Sequence, residues 1–578
     1  MKPYLTFFLK PQLSKVGLST SPWLTSAIFL LPVAVGLLGT WLPAFGWLPA
    51  IDARAFSIQA WSLMTDYPGF WTALKTTLTT GLVASFLAIL ITLLLLIGLY
   101  PSKLFKTIER NLAPLLSVPH AAFAIGLGLL IMPSGWLVRL LAQGFDQLAS
   151  PPNIATFQDP MGLSLILALT LKEIPFLLFM SLAVLPSLKV SQTITLTHSL
   201  GHSRRYAWVW LIFPQLYKQI KLPFFAIIAY SLTVVDIAMI AGPTTPPTLA
   251  VMVNHWFYDP NLELRTLGAA GATSLLAINI LVLGLLHLLE KPAALLRCHV
   301  VNQGSKKAHR IFWEKPIALV SALLLFSFYI GATLQMLSWS FASRWRYPHL
   351  WPDGFSTKAW SRIFNRIDEP FYTTFQLALA SATLALVLCI LMLENEVRLR
   401  HKKRSINTDN IQLLIYLPLL IPQIAFLFGF QVFLIQLGID ANFYALLWSH
   451  CIFVIPYVFL TLSGPYRRYD QRYQLQALSL SASHLKSFWL IKLPILLRPI
   501  LYAFATGFSV SIAQYLPTLF IGAGKFSTLT TEAVAITSGS DRRLIAVMAL
   551  WQQALPLLIF LFATLAPALL FRKRKALL

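Results

Sequence analysis

The stretch QTITLTHSLGHSRRYAWVWLIFP, residues 192 to 214, lies between two long apolar runs and carries two arginines at its centre. The stretch is interrupted at Gly201, and Pro214 follows its second part. Because glycine commonly ends a helix and proline cannot continue one, the stretch predicts a helix, a turn and a second helix that stops at Pro214. Basic residues beside membrane spans favour the cytoplasmic side, where we expect this loop to lie.

The same layout recurs in the second half of the chain. A second loop ends in Ile-Lys-Leu-Pro at Pro494, as the first ends in Leu-Ile-Phe-Pro at Pro214. The offset between these two prolines also places Ser481 at the position of Gly201. At the same offset, Leu475-Gln476-Ala477 corresponds to Thr195-Leu196-Thr197 of the first loop. Two loops in register, each between membrane spans, indicate an internal repeat rather than two unrelated amphipathic connectors.

Composition identifies the class of protein. Of the 578 residues, 57% are hydrophobic and only 11% are charged, whereas soluble domains carry about 25% charged residues. We therefore predict an all-α polytopic membrane protein. The net charge of +24 could indicate nucleic-acid binding, but most basic residues lie in short loops beside apolar runs, so we expect no nucleic-acid partner.

Apolar runs long enough to cross about 30 Å of hydrocarbon can be placed twelve times. They lie near residues 23–45, 72–99, 111–133, 161–186, 221–245, 266–289, 316–337, 370–394, 411–437, 442–464, 495–520 and 544–571. With the amino terminus inside, 32 of the 45 Lys and Arg residues fall on inside segments or at the inside ends of spans, and 11 fall on outside segments. This bias predicts that both termini and both loops are cytoplasmic.

The two halves are related outside these loops as well. The pattern P-x-x-A-F-x-x-G over 119–126 recurs over 422–429. Ile174-Pro175-Phe176 recurs as Ile455-Pro456-Tyr457, at a smaller offset than the first pattern. A longer external loop in the first half, about 134–160, accounts for the difference between the two offsets.

The number of spans in each half sets the relation between the halves. Because six is even, the two repeats run parallel and are related by an axis along the membrane normal. We predict a first repeat over 1–290, a basic cytoplasmic linker over 291–315 and a second repeat over 316–578.

Charged residues within spans cost several kcal/mol unless they are paired or hydrated, so they are the first candidates for a transport pathway. Lys172 and Glu173 lie in the middle of the fourth span, close to Pro175. They either line a path at a kinked helix or form a charge pair that holds the kink. Asp236 in the fifth span and Gln514, its predicted counterpart in the second half, each precede a glycine-containing break, which indicates either a midline pathway or a polar contact between helices.

Nucleotide-binding, metal and catalytic signatures are missing from the sequence. The run from Gly522 to Lys525 resembles part of a phosphate-binding loop, but Leu519 replaces its first glycine and Phe526 its final Ser or Thr. The eleven histidines show no metal-ligand spacing, and the three cysteines are scattered. We predict that the chain is not an enzyme and holds no cofactor or metal of its own.

Both loops resemble the "EAA" loop of permease subunits in binding-protein-dependent ABC importers. In that loop a Glu-Ala-Ala triplet, a glycine four residues on and an Ile-x-Leu-Pro ending mark the segment that docks on the ATPase. The first triplet here is Thr195-Leu196-Thr197, which lacks the Glu of the ionic contact. The stretches 513–518 and 528–533 are similar to the thiamine and ferric-iron permease group, and within it to YnjC-like permeases.

This resemblance implies a type I importer fold that moves a small solute, thiamine-like, ferric iron or similar, across the bacterial inner membrane by alternating access. It also implies three partners: a cytoplasmic ABC ATPase dimer that binds the ATP, a periplasmic or lipid-anchored solute-binding protein, and membrane lipid. The first docking loop would be about 190–215 and the second about 466–495. The candidate docking residues are Leu196, Leu200, Gly201, Arg204, Arg205, Pro214, Leu475, Leu478, Ser481 and Pro494.

A secondary active transporter with six plus six spans is the main alternative. Many such transporters carry a Gly-x-x-x-Asp-Arg/Lys loop between spans two and three, whereas the loop over 100–107 lacks this pattern. A multi-span membrane enzyme is a further alternative, but it would need clustered catalytic groups at the interface. The sequence does not identify the substrate.

Overall fold

The structure, a computed structural model, describes residues 11–303, 313–401, 408–480, 483–539 and 541–571. Helices make up most of these residues. Two short strands, β1 (Ala342–Arg344) and β2 (Gly354–Phe355), pair as an antiparallel hairpin. The predicted all-α membrane class is confirmed.

The helices fall into two corresponding sets, one in each half of the chain. The helices of the first half are α1 (Pro11–Ala44), α2 (Gln59–Asp66), α3 (Phe70–Leu99), α4 (Lys103–Ser117), α5 (His120–Ile131), α6 (Trp136–Ala142), α7 (Leu163–Val184), α8 (Val190–Ser199), α9 (Arg204–Tyr206), α10 (Phe213–Thr233), α11 (Asp236–Ala241), α12 (Leu249–Tyr258) and α13 (Leu264–Gln303). Those of the second half are α14 (Glu314–Phe341), α15 (Lys358–Phe364), α16 (Asp368–His401), α17 (Thr408–Leu420), α18 (Gln423–Gln436), α19 (Phe443–Arg468), α20 (Arg472–Ser479), α21 (His484–Ser487), α22 (Leu493–Ile495), α23 (Leu497–Ala513), α24 (Leu516–Gly522), α25 (Leu529–Ile536) and α26 (Arg542–Leu570). Short 3₁₀ turns lie at Pro49–Ile51, Asp146–Leu148 and Leu185–Leu188, and π-helical segments lie at Ala207–Ile212 and Phe488–Lys492.

Within the described ranges, nine helical segments are long and apolar enough to span a membrane, and two sharply bent pairs raise the number to eleven. The predicted fifth span coincides with α10 and α11, which fall outside this set because the polar first half of α10, with Lys218 and Lys221, lowers its mean hydropathy. The multi-pass class is thus confirmed, while the number twelve stays a prediction.

Two predicted spans are broken. The third, predicted over 111–133, consists of α4 and α5 with a break before Pro119, and the ninth, predicted over 411–437, consists of α17 and α18, bent by 98° next to Pro422. Proline lacks a backbone N–H and disfavours helical backbone in the residue before it, so each helix ends there. Because the two prolines open the same repeated pattern, the break belongs to the repeat.

Each half is built around one central helix. In the first half α3 packs on α7 and α10, and in the second α16 packs on α19 and α23. Thr77 on α3 accepts a hydrogen bond from the N–H of Leu249 at 2.8 Å, and Thr374 on α16 accepts one from Leu529 at 2.9 Å. These matched contacts show that α3 and α16 are equivalent elements of the two halves.

The first helix of each half packs on the other half. α1 lies against α18, and α14 lies against α5. Small residues permit this approach, since a Cβ on Gly429 would lie 2.1 Å from the carbonyl oxygen of Gly36, and one on Gly126 would lie 2.9 Å from Ala332. Helices in lipid associate through such close small-residue contacts because hydrocarbon supplies no hydrophobic force between them. The two halves are therefore interlocked.

On the face opposite the docking loops, Arg139 links α6 to the β1–β2 hairpin. Its guanidinium donates to the carbonyl oxygen of Ser134 at 2.9 Å and to those of Arg346 and His349 at 2.7 Å each. Arg139 is only 2% exposed, and Trp345 stacks beside it with the ring centre 5.0 Å from the guanidinium carbon. The predicted insertion over 134–160 thus contacts the second half.

Candidate functional site

The first docking loop consists of α8, a turn at Gly201, α9 and a π-helical segment that runs directly into α10. Gly201 has φ of +81°, and no atom lies within 4 Å of the place its Cβ would take, so backbone conformation rather than space calls for glycine. The Ser203 hydroxyl accepts a hydrogen bond from the N–H of Tyr206 at 3.2 Å and caps the second helix. The predicted helix, turn and second helix are present.

Pro214 does not end that second helix, which corrects the prediction. It lies in the first turn of α10, where the helical path continues from the π-helical segment. The π-helical bond from the Phe213 N–H to the Trp208 carbonyl directly precedes Pro214, so the regular i→i−4 ladder is already interrupted where the proline lacks its N–H. The prediction that the second helix of this loop ends at Pro214 is therefore wrong, because it assumed that a proline always stops a helix.

The second docking loop has the same order of elements. α20 is followed by α21, a π-helical segment and α22, and Pro494 lies in the first turn of α22. π-helical turns are rare, so their presence at the same place in both loops shows that the repeat extends to local backbone geometry. Ser481, predicted to replace Gly201 at the turn, lies outside the described residues.

Both loops expose leucine side chains. Leu196 and Leu200 are 66% and 69% exposed, and Leu475 is 58% exposed. Leu478 is half-buried, whereas Leu480, which we did not predict, is 83% exposed. Leu480 directly precedes Ser481 as Leu200 precedes Gly201, so the repeat itself could have identified it. Exposed apolar groups of this kind are typical of interaction surfaces.

The opposite face of each short helix packs inward. Thr197 and Ala477 hold the third positions of the two triplets and are buried. Small side chains at this position let α8 and α20 lie against the π-helical segments that follow them. Each short helix therefore presents one face to the protein and one to its surroundings, as a docking helix requires.

Arg204 and Arg205, both predicted as docking contacts, differ in the structure. The Nε of Arg204 donates to the carbonyl of Ile97 at 2.9 Å, and its Nη2 donates to the carbonyl of Tyr100. These carbonyls end α3, so Arg204 caps that helix. Burial lowers the pKa of the Arg204 guanidinium, and the nearby negative charge of Glu314 partly offsets this effect. The guanidinium stays charged. Arg205 is exposed, 3.9 Å from Glu314, and fits a surface contact.

The two docking loops lie on the same face of the molecule. Arg204 joins the first loop to the carboxyl end of α3, and Lys492 joins the second loop to Glu394 near the carboxyl end of α16. α14 begins beside the first loop, where Glu314 approaches Arg205, and crosses to the opposite face. Since α16 then crosses back, its carboxyl end returns to the face where α3 ends.

Lys172 and Glu173, the first pair of pathway candidates, are both buried in α7. The Lys172 ammonium donates to the carbonyl of Leu115 at 3.4 Å and to that of Val118. These carbonyls lie at the end of α4, where no further helical turn supplies donors. Lys172 therefore supports the break before Pro119, which favours a structural role for it. Glu173 stays a pathway candidate.

Asp236 and Gln514, the second pair, lie at matched breaks. Residues 234–235 separate α10 from α11, and residues 514–515 separate α23 from α24. The breaks align Asp236 with Leu516 rather than with Gln514, which corrects the predicted pairing. Both candidate side chains are buried, and the Gln514 side chain donates to the carbonyl of His450 at 3.1 Å while its Oε1 has no hydrogen-bond partner among the described residues.

In the part of the chain that the structure describes, no group of three or more His, Cys, Asp or Glu side chains is placed to hold a metal ion. Cys389 and Cys451 are buried and Cys298 is exposed, and all three are free thiols. That the chain binds no cofactor or nucleotide stays a prediction.

Comparison with known proteins adds an independent observation. The chain is 32% identical over 545 residues to the inner membrane ABC transporter permease protein YnjC of Escherichia coli (strain K12). The aligned region covers 94% of this chain and 97% of that protein. No model of a protein family matches the chain.

Proposed function

The chain belongs to the YnjC-like family of inner membrane ABC transporter permeases, and from this we propose that it is the fused membrane subunit of a binding-protein-dependent importer. Two parallel repeats of six spans, 1–290 and 316–578, form a type I permease fold joined by the linker. The protein carries a small solute, thiamine-like, ferric iron or similar, into the cell by alternating access. Both termini face the cytoplasm, as the distribution of basic residues predicts.

The pair of docking loops is the observation that carries this proposal. Each loop has an exposed leucine pair on or directly after a short helix, and each is anchored to the carboxyl end of a central helix. A cytoplasmic ATPase dimer has two equivalent clefts, so two matched loops on one face suit it. The solute-binding protein docks on the opposite face, and membrane lipid surrounds the spans.

The anchors give a route from the ATPase to the pathway. When ATP closes the dimer, the loops move together, and Arg204 and Lys492 pass the movement to α3 and α16. The pathway changes state only as far as the ATPase binds the two conformations with different affinity. ATP is bound and hydrolysed by the partner, and the permease supplies the moving helices.

The test is association with the ATPase subunit and ATP hydrolysis by the complex. We expect the permease to co-purify with the ATPase subunit. Leu200→Asp combined with Leu480→Asp should weaken this association at least about 100-fold, because two leucines that become buried in the complex are worth at least about 3 kcal/mol. Leu295→Asp, at an equally exposed leucine of α13, is the control and should have no effect.

Two results would contradict the proposal. Undiminished association of the docking variant would show that the loops are not the contact. Uptake driven by an ion gradient without any ATPase would instead favour the secondary active transporter.

A further inference from the structure

Phe176 on α7 and Tyr457 on α19 hold equivalent positions in the repeated Ile-Pro-aromatic pattern, and their rings are in contact with centroids 6.2 Å apart. Two equivalent residues of a twofold arrangement contact each other where the symmetry axis passes between them. For parallel repeats that axis runs along the membrane normal. In a permease built from two parallel repeats, the two rings therefore lie on the path that a solute takes between the halves.

Each of these residues begins a part-exposed stripe on its helix, which also includes Phe179 on α7 and Leu460 on α19. Met180 on α7 and Thr461 on α19 lie one turn closer to the docking loops and are also part-exposed. Because the first members of the two stripes touch, both stripes face the space between the halves rather than lipid. Residues 172–175 and 453–456, on the other side of the rings, are buried. The space therefore opens towards the docking loops and closes at the rings.

A second contact between the halves lies further from the docking loops. The Tyr515 hydroxyl donates to the Sδ of Met239 at 3.7 Å. Asp236 is within electrostatic range of Tyr515 and of Tyr230, and Tyr230 is within range of Tyr457. Asp236 and Tyr230 therefore lie near both contacts between the halves, the inner one of Phe176 with Tyr457 and the outer one of Met239 with Tyr515.

We propose that Phe176 and Tyr457 form the inner gate of the transport pathway and separate the polar layer of Glu173, Tyr230 and Asp236 from the docking-loop side. This inference rests on the proposed function. Two large apolar rings close a narrow path by excluding water, and they clear it by side-chain rotation when the halves separate.

The residue before each gate ring is proline. Pro175 and Pro456 each remove one backbone hydrogen bond inside a long helix, so α7 and α19 can bend next to the gate. Movement of the docking loops at the ends of these helices therefore bends α7 and α19 directly next to Phe176 and Tyr457.

The experiment measures cysteine accessibility after the native cysteines are replaced by Cys298→Ser, Cys389→Ala and Cys451→Ala. A membrane-impermeant methanethiosulfonate is applied to the docking-loop face of sealed vesicles. Met180→Cys, on the open side, should react quickly with or without the gate. Met239→Cys should react slowly, and at least about tenfold faster in Phe176→Ala/Tyr457→Ala, because removing the rings raises the open fraction.

Phe86→Ala/Phe562→Ala is the control, since it removes two rings that are 45% and 58% exposed on the outer surface, and it should leave both rates unchanged. Cysteines placed at 176 and 457 should be joined by a short bifunctional thiol reagent, because the two rings that they replace meet across the path, and this keeps the test decisive should the alanine variant not fold. An unchanged rate at residue 239, or no cross-link in folded protein, overturns the gate.

The measurement uses neither ATP nor an ATPase, so it is independent of the association test. A chain that binds the ATPase but shows ungated labelling refutes the gate alone. A chain that shows gated labelling but binds no ATPase refutes the importer and leaves the gate in place.

Discussion

Lys492 and Ile212 hold the same position in the two docking loops, each two residues before the closing proline, but only one of them carries a charge. Lys492 is 1% exposed, and its ammonium pairs with Glu394 on α16 and lies 4.3 Å from the ring centre of Tyr466. Ile97, at the place of Glu394 in the first half, is buried and apolar. The second half therefore has a buried ion pair where the first half has aliphatic side chains.

We expect Lys492→Met to destabilise the protein by about 1–3 kcal/mol, because it leaves the mostly buried carboxylate of Glu394 without its positive charge partner and with only the Tyr466 hydroxyl as a donor. Lys492→Ile combined with Glu394→Ile copies the first half and should recover most of this loss, since both charges are removed. Thermal unfolding of the purified protein in detergent ranks the three proteins. A double variant less stable than Lys492→Met would contradict the prediction.

Arg204 and Arg205 are neighbours in the sequence but make different contacts, so the Arg205 variant serves as the control for the Arg204 variant. Arg204→Ala removes the donors to the carbonyls of Ile97 and Tyr100 and should cost about 1–3 kcal/mol. Arg205→Ala loses only an exposed contact with Glu314, worth at most about 1 kcal/mol. The midpoint of thermal unfolding should therefore fall for the first variant and barely move for the second. Equal midpoints would show that the cap on α3 does not stabilise the fold.

At the level of elements, the turn of the first docking loop depends on one residue in the left-handed region. Gly201→Ala should destabilise this turn by about 1 kcal/mol, because its φ of +81° strains any L side chain although space is open. Gly284→Ala in α13 is the control, since its Cβ also meets no atom within 4 Å but its backbone is helical. It should be neutral or stabilise by up to about 1 kcal/mol.

Hydrogen–deuterium exchange of residues 190–206 separates these two variants. Exchange should rise for Gly201→Ala and stay unchanged for Gly284→Ala. The prediction is wrong if both variants exchange alike, because strain at φ would then not decide the stability of the loop.

The docking loops could be predicted because their signals are local. A glycine or serine, a triplet and a closing proline recur at the same spacing in both halves, and the structure has the same elements in both places. The resemblance to ABC permeases, drawn from these loops, is confirmed by the similarity to YnjC. The breaks at Pro119 and Pro422 were missed because a hydropathy window counts apolar side chains and ignores backbone hydrogen bonds.

The roles of individual side chains could be predicted less well. Arg204 looked like a docking contact because sequence does not show which face of a short helix meets the protein. The capping role of Lys172 depends on the end of α4, which is remote from it in the chain. The contact of Phe176 with Tyr457 follows from the symmetry of the assembled halves, and the repeated Ile-Pro-aromatic pattern was the one signal that pointed to it.

At the level of the whole molecule, the two halves are held together by more than the linker. α1 of the first half packs on α18, and α14 of the second half packs on α5. Each half therefore leaves a helix-lined surface bare when its partner is missing. Close backbone contact at glycines makes this packing specific, since Gly429 meets both Gly36 and Gly39.

If this interlocking holds the molecule together, cutting the linker should leave it intact. We expect residues 1–303 and 304–578, produced as separate chains in one cell, to co-purify from membranes through a tag on the first piece. Gly429→Leu in the second piece should reduce recovery at least about tenfold, because its Cβ would lie 2.1 Å from the Gly36 carbonyl oxygen and force α1 away from α18. Gly464→Leu is the control, since the nearest atom to its Cβ is the end of the Arg468 side chain at 3.5 Å. Failure of the unmodified pieces to associate would show that the linker is required, and equal recovery of both variants would show that the glycine crossing does not join the halves.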